Sequence, residues 1–359
     1  MRCLSYEFRF ILVVYKVSEA CNAGFVNRGQ PFPRILRNRL WTNPDRGDWM
    51  RPITRRRLLE LIGAGTASAA FPTLAAVPTK DSDLVRKPIP NTDEALTVIG
   101  MGTWRTFNVG SAPQLRAERT RVLEAFFANG GQVVDSSPMY GSSQDVLGHA
   151  LNELGNDDSL FAADKIWTRD GDATREQFSQ SASKWNLNTF DLMQVHNLLA
   201  WEPHLDTLES MKVEGNVRYI GITTSHGRRH GEFERIMQER DVDFVQLTYS
   251  LANRDAEKRL LPLARDRGIA VIANRPFEGG RLINRLQGRN VPLPDWAGEI
   301  GCENWPQFLL KFIVSHPAVT CAIPATTQVE HMRENMGAAR GEVPDAPMRR
   351  RMIDVIESV

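Results

Sequence analysis

Four polar residues stand where short apolar runs end, and their types suit one reaction. Asp135 lies near the end of the run 131–137, Tyr140 follows five residues later, Lys165 sits near the end of 160–167, and His196 closes 190–196. Singly, each has an ordinary explanation. An Asp at a strand end commonly caps the next helix, a His after an apolar strand commonly packs in a core, and Tyr140 beside Gly141 suits a loop. Lys165, inside FAADKIW, is harder to set aside. A lysine is rarely buried unless paired, and Asp135 on a neighbouring strand supplies the partner. Together the four suit the reduction of a carbonyl group. That reaction needs hydride at carbon and a proton at oxygen, and a nicotinamide cofactor delivers only the hydride. A tyrosine, with an ordinary pKa of about 10, is a weak acid at pH 7. A nearby ammonium favours phenolate, so Lys165, kept charged by Asp135, is expected to lower the Tyr140 pKa toward the working range. His196 would donate a hydrogen bond to the substrate carbonyl oxygen and share its developing negative charge. The reaction needs no metal, and no cluster with metal-ligand spacing is visible.

Such residues act together only if the fold gathers strand ends. From about residue 95, short apolar runs alternate with amphipathic helices, which implies parallel strands joined by crossover helices. The candidate strands are 96–103, 131–137, 160–167, 190–196, 217–223, 243–249, 269–275 and 319–325. The helix over 116–130 puts Val122, Leu123, Ala125 and Phe126 on one face and stops at Gly130-Gly131. A second, 255–268, stops at Gly268, and Pro262 inside it implies a kink. Eight such units predict an α/β fold of the (β/α)8 TIM-barrel type, whose usual size is about 250 residues and whose active sites lie at the C-terminal strand ends. A doubly wound sheet would place GxGxxG after the first strand, but Gly100-Met101-Gly102 runs on into Thr103-Trp104. Residues 277–303 read as the longest irregular stretch, a loop covering cofactor or substrate. Arg281, Arg285 and Arg289 there form either a cofactor clamp or a solvated face. Trp104, Trp167 and Trp201 are candidates for an apolar mouth, or for plain packing.

The bulk numbers agree with an ordinary globular chain. The sequence has 359 residues, 42% of them hydrophobic, and a net charge of +1, so no field draws in nucleic acid or an anionic membrane. No run of eighteen apolar residues suggests a membrane anchor. Of the four cysteines, Cys3 and Cys21 precede the barrel, and Cys302 and Cys321 read as buried thiols, with a disulfide not indicated. The segment 50–80 has its own pattern. Arg55, Arg56 and Arg57 precede Leu58-Leu59 and a run rich in Ala and Gly, with small residues over 67–76. It resembles a twin-arginine export signal, whose partner is the twin-arginine export machinery. That signal implies a periplasmic or exported protein, and a cytoplasmic one if it is not used. A basic amphipathic helix is the rival reading, opposed by Gly63, Gly65 and Pro72. Because such signals begin a chain, Met50 is expected to be the true initiator and 1–49 a doubtful extension, leaving 81–359 for the barrel.

VIGMGTW (98–104), VVDSSPMYGSSQDVLGHAL (133–151), the Lys165 strand, DLMQVHN (191–197) and GNVRYIGITT (215–224) resemble, in order, the signatures of the aldo/keto reductases. The resemblance runs from about 96 to 340. It implies an NAD(P)H-dependent enzyme acting on a small-molecule carbonyl substrate, with Asp135, Tyr140, Lys165 and His196 as the catalytic tetrad. It also implies a cofactor site made by Gly102, Thr103, Thr223, Thr224, Gln246, Arg275 and Pro276. The adenine end falls to Thr326, Thr327, Glu334 and Asn335. Several positions depart from the family. Thr223-Thr224 replaces a Ser-Asn pair, and Asn274-Arg275-Pro276-Phe277 lacks the aromatic that stacks on nicotinamide. Ala325 and His331 stand where cations commonly hold a 2′-phosphate, with Arg333 out of register. NADPH is therefore expected on family habit alone, with NADH possible. A cofactor-binding sensor or partner subunit without turnover is the alternative, and a lyase or isomerase on the same barrel would need a phosphate cup or metal ligands that are not evident.

Overall fold

The computed structural model describes residues 83–155 and 158–358. The expected extension and export signal, with Cys3 and Cys21, lie outside the described residues. An antiparallel hairpin comes first, β1 (Arg86–Pro88) and β2 (Ala95–Thr97). Eight parallel strands follow: β3 (Met101–Gly102), β4 (Val133–Asp135), β5 (Phe161–Ile166), β6 (Phe190–Val195), β7 (Val217–Thr223), β8 (Phe244–Thr248), β9 (Ala270–Asn274) and β10 (Cys321–Ala322). They pair in sequence order, and the first meets the last. Ile99 bridges Ala322 in parallel, and the Gly100 N–H donates to the Ala322 carbonyl at 2.9 Å. The sheet therefore closes as the expected (β/α)8 barrel.

Crossover helices α1 (Pro113–Ala128), α2 (Ser143–Leu154), α3 (Thr174–Trp185), α4 (Trp201–Val213), α5 (His230–Glu239) and α6 (Leu260–Asp266) follow β3 to β8 in turn. Two helices, α7 (Arg281–Gly288) and α8 (Trp305–Val314), separate β9 from β10, and α9 (Val329–Gly337) and α10 (Ala346–Glu357) end the chain. Alternation along each strand sorts residues into two cores. Ala162 and Ile166 of β5 face the helices, while Phe161 and Ala163 face the barrel interior with Val133, Leu192 and Ile272. Lys165 shares the inward parity. Below it, the rings of Phe161, Tyr219 and Phe244 pack with centroids 5.5 to 6.0 Å apart, joined by Ile89 and Leu96 from the hairpin region. These side chains fill the N-terminal end, so the polar residues above them sit at the other mouth.

The boundaries differ from expectation in three places. The run 96–103 is not one strand. It splits into β2 and β3 across 98–100, and at Gly100 a Cβ would lie 2.9 Å from the Val133 carbonyl oxygen, so only glycine allows the close approach. Pro262 makes no kink, because the helix begins anew at Leu260, after a short turn over Asp255–Lys258. Pro262 then falls in the first turn, where a backbone N–H has no intrahelical partner. Finally, 277–303 is largely helical, with α7 and a turn over Asp295–Ile300. Leu282 and Leu286, four apart, bury one side of α7, and a helix needs only that stripe. Arg281, Arg285 and Arg289 are exposed and lie outside the cavity described below. That placement favours the solvated face over the clamp. Cys302 and Cys321 are buried free thiols.

Candidate active site

The four candidate residues converge at the C-terminal ends of β4, β5 and β6. Lys165 and Asp135 are buried, and Lys165 Nζ donates to Asp135 Oδ2 and to the Ser136 carbonyl, each at 2.6 Å. The other carboxylate oxygen accepts from Gln246 Nε2 at 2.7 Å and from Gln194 Nε2 at 3.4 Å. The carboxylate thus receives donors from three strands, which is what a buried charge requires. Burial disfavours the Lys165 charge, yet Asp135, and then Tyr140, outweigh it and hold the ammonium above its ordinary pKa. Tyr140 rides on a turn over Pro138–Tyr140, its ring centre 5.3 Å from Lys165 Nζ. Burial pushes its phenol up to about 12, against the pull of Lys165. The expectation that Lys165 brings Tyr140 down toward neutrality is therefore corrected. Desolvation of the phenolate exceeds the attraction of an ammonium whose charge Asp135 already shares. His196 packs edge-on to Tyr140, ring centres 5.7 Å apart. Burial, with Lys165 second, holds its pKa well below the ordinary value, so the imidazole is neutral.

Above this group opens a cavity of about 350 Å³. Asp135, Tyr140 and His196 line it, and the buried Lys165 lies beneath. Gly102, Thr103, Thr223, Thr224, Gln246, Arg275 and Pro276, all expected at the cofactor, line it too. Thr326, Thr327, Glu334 and Asn335 do not: they follow β10, the first pair in the connection before α9 and the second on α9. Of the three tryptophans only Trp104 lines the mouth, between the guanidinium groups of Arg105 and Arg275 at 4.7 and 5.7 Å from its ring. Trp167 is exposed elsewhere, and Trp201 is buried on α4 beside Arg235 and Arg240.

Several contributors escaped the sequence reading. Ser137 touches His196, as described below. Asn197, Leu198 and Ala200 adopt left-handed backbone, with φ of 55°, 56° and 45°, so the turn after His196 holds strain. Arg229 donates to the Asn197 and Leu198 carbonyls at 2.8 and 3.0 Å and fixes that turn. Nothing in the spacing of an exposed arginine thirty residues away signals that role. Among the described residues, no group of three His, Cys, Asp or Glu could hold a metal ion, and no helix is long and apolar enough to cross a membrane.

Comparison with known proteins decides the family. Residues 98–351 match the aldo/keto reductase family. The chain belongs to that family. It is an NAD(P)-dependent oxidoreductase of the aldo/keto reductase type. It is similar to an NADH-specific methylglyoxal reductase of Escherichia coli (strain K12), 25% identical over 332 residues, covering 75% of this chain and 98% of that one. Among solved structures, it resembles an aldo-keto reductase from Klebsiella pneumoniae in complex with NADPH, with TM-score 0.62 and 22% identity. That match covers 76% of this chain and 95% of the other. The holo form of an aldo-keto reductase from Bacillus halodurans has the same TM-score, 0.62, at 18% identity, covering 76% and 96%.

As an aldo/keto reductase, the chain departs from the family pattern at several residues lining this cavity. Thr223 Oγ1 accepts the Asn197 N–H at 3.2 Å and keeps its own proton to donate, while Thr224 Oγ1 donates to the Arg228 carbonyl at 2.7 Å. Asn274 does not stack. Its amide donates to the Thr224 carbonyl at 2.9 Å and accepts from Thr248 Oγ1 at 2.7 Å, so it braces neighbouring strand ends. Gln246 donates from its amide to Asp135, which ties β8 to the Lys165–Asp135 pair. The cavity suits a dinucleotide: hydroxyl and amide groups line one wall, and at Gly102 a Cβ would stand 3.1 Å from the Ile323 oxygen, leaving smooth backbone there. After β10, Arg333 pairs with Glu330, His331 is exposed, and Ala325 carries no charge to the cavity it lines.

Proposed function

We propose that this protein reduces an aldehyde or ketone to the alcohol, or runs the reverse oxidation, with Tyr140 as the general acid. The convergence of Tyr140, the buried Lys165–Asp135 pair and neutral His196 on one cavity carries the reading. When bound, the nicotinamide dinucleotide supplies the hydride. Gly102, Thr103, Thr223, Thr224, Gln246, Arg275 and Pro276 would hold its nicotinamide half, and Thr326, Thr327, Glu334 and Asn335 the adenosine. His196 donates a hydrogen bond to the carbonyl oxygen and orients it. As negative charge grows there, Tyr140 O–H gives up its proton to the oxygen. A phenol raised to about 12 is still a far stronger acid than an alcohol, so the transfer is downhill once an alkoxide forms. Lys165 steadies the phenolate left behind, and Asp135 keeps Lys165 charged and aimed.

NADPH is the proposed cofactor, with NADH also accepted. The Escherichia coli relative is described as NADH-specific and the Klebsiella pneumoniae structure holds NADPH, so both habits occur among similar proteins. Ala325→Lys is expected to tighten NADPH about ten- to a hundredfold and NADH much less, the worth of one charge-assisted contact. Equilibrium titration with both dinucleotides checks it, and equal effects would mean the 2′-phosphate lies elsewhere. Oxidation of NADPH and NADH by the purified protein, over a panel of aldehydes and ketones, tests the function itself. A dinucleotide bound but never oxidised would favour the sensor reading, for which the replacement of the stacking aromatic by Asn274 speaks. Export through the twin-arginine machinery, resting on Arg55 and Arg56, belongs to the same proposal.

A further inference from the structure

Ser137 links the two polar groups that would face the substrate. Its side chain is fully buried and its hydroxyl has one proton to give and two lone pairs. The Met139 N–H donates to Ser137 Oγ at 3.2 Å and caps the turn that carries Tyr140. His196 Nδ1 lies 2.8 Å from the same oxygen. A backbone N–H can only donate, so the direction of the second contact decides where the hydroxyl proton goes. Were Nδ1 protonated, Ser137 would accept twice, and its own proton would have no other acceptor in hydrogen-bond range among the described residues. A buried donor left so costs free energy.

We propose that Ser137 donates to His196 Nδ1 and fixes the imidazole as its Nε2–H tautomer, which makes Ser137 a positioning residue for the carbonyl-binding hydrogen bond. Burial and the nearby Lys165 keep the ring neutral, so it has a single N–H, and the choice of nitrogen matters. With Nδ1 occupied, Nε2 is the nitrogen free for the cavity that His196 lines. One hydroxyl therefore sets both the Tyr140 turn and the His196 proton, and keeps acid and hydrogen-bond donor in register. The role toward substrate rests on the reductase reading above; the tautomer does not.

Long-range ¹H–¹⁵N spectra of labelled protein separate the two, because seven histidines are few enough to resolve and His196→Asn assigns the ring in question. The wild-type ring is expected to show protonated Nε2 and bare Nδ1 throughout pH 6 to 8. Ser137→Ala should lose that single tautomer and lower kcat about tenfold, the weight of one hydrogen bond, with dinucleotide Kd moved less than about twofold. Ser137→Thr should restore both readouts. Protonated Nδ1 in the wild type, or unchanged ring signals in Ser137→Ala, would overturn the assignment. Should the Ala variant not fold, the wild-type spectrum decides by itself. A wild-type protein with the expected tautomer that reduces no carbonyl would sink the reductase reading and leave the Ser137 assignment standing.

Discussion

Replacing Tyr140 with Phe is expected to lower kcat for carbonyl reduction by about a hundred- to ten-thousandfold, the usual range for losing a positioned acid. Dinucleotide affinity should stay within about twofold, since the proposed mechanism sets the hydroxyl against the reacting oxygen and not against the residues proposed to hold the cofactor. Phe keeps the ring that packs against His196, so the fold around it has little reason to change. The wild-type pH profile carries a matching signature. Burial raises the phenol to about 12, so Tyr140 stays protonated across pH 6 to 9 and reduction should not fall over that range for want of its proton. Alcohol oxidation needs the phenolate, so its rate should climb with pH instead. Steady-state rates and fluorescence titration of the dinucleotide check the variant, and unchanged turnover would remove the mechanism.

Lys165→Met is expected to cost both activity and stability. It strips the buried carboxylate of Asp135 of its cation, leaving only Gln246 and Gln194 as side-chain donors. Breaking a buried pair in this way typically costs about 3–5 kcal/mol. Reduction should drop by more than about a hundredfold, because the phenolate loses the charge that stabilises it. The sign for oxidation follows: Lys165 lowers the phenol pKa, so its removal should move the onset of residual alcohol oxidation to higher pH. Thermal unfolding separates the two losses. Adding Asp135→Asn to Lys165→Met should recover most of the stability and none of the activity. Recovery of activity in the double variant would show that the pair serves folding alone.

The barrel and the candidate quartet are legible because strand ends carry chemistry in this fold, and short apolar runs alternating with helices mark where strands end. Lys165 was the most telling residue, since a lysine within FAADKIW has no reason to be buried except its partner. What escaped reading depends on tertiary contact. Gly100 must be glycine because the Val133 carbonyl approaches it, and Ser137 stands out because His196 Nδ1 lies 2.8 Å away. The direction of the Tyr140 shift depends on packing in the same way. The charge of Lys165 can be read from sequence, but the desolvation opposing it is a property of the packed site. In 277–303, the Gly and Pro residues hid the Leu282–Leu286 stripe that makes α7.

Isotope placement follows the hydride proposed to pass from a dinucleotide to a carbonyl carbon. The purified protein would be given an aldehyde and a dinucleotide carrying deuterium at both C4 positions, in ordinary water, with the converse experiment in D₂O. The alcohol should carry one deuterium on its carbinol carbon in the first case and none on that carbon in the second. Deuterium arriving at carbon from the solvent, or a dinucleotide that binds and stays reduced with every carbonyl offered, would contradict it.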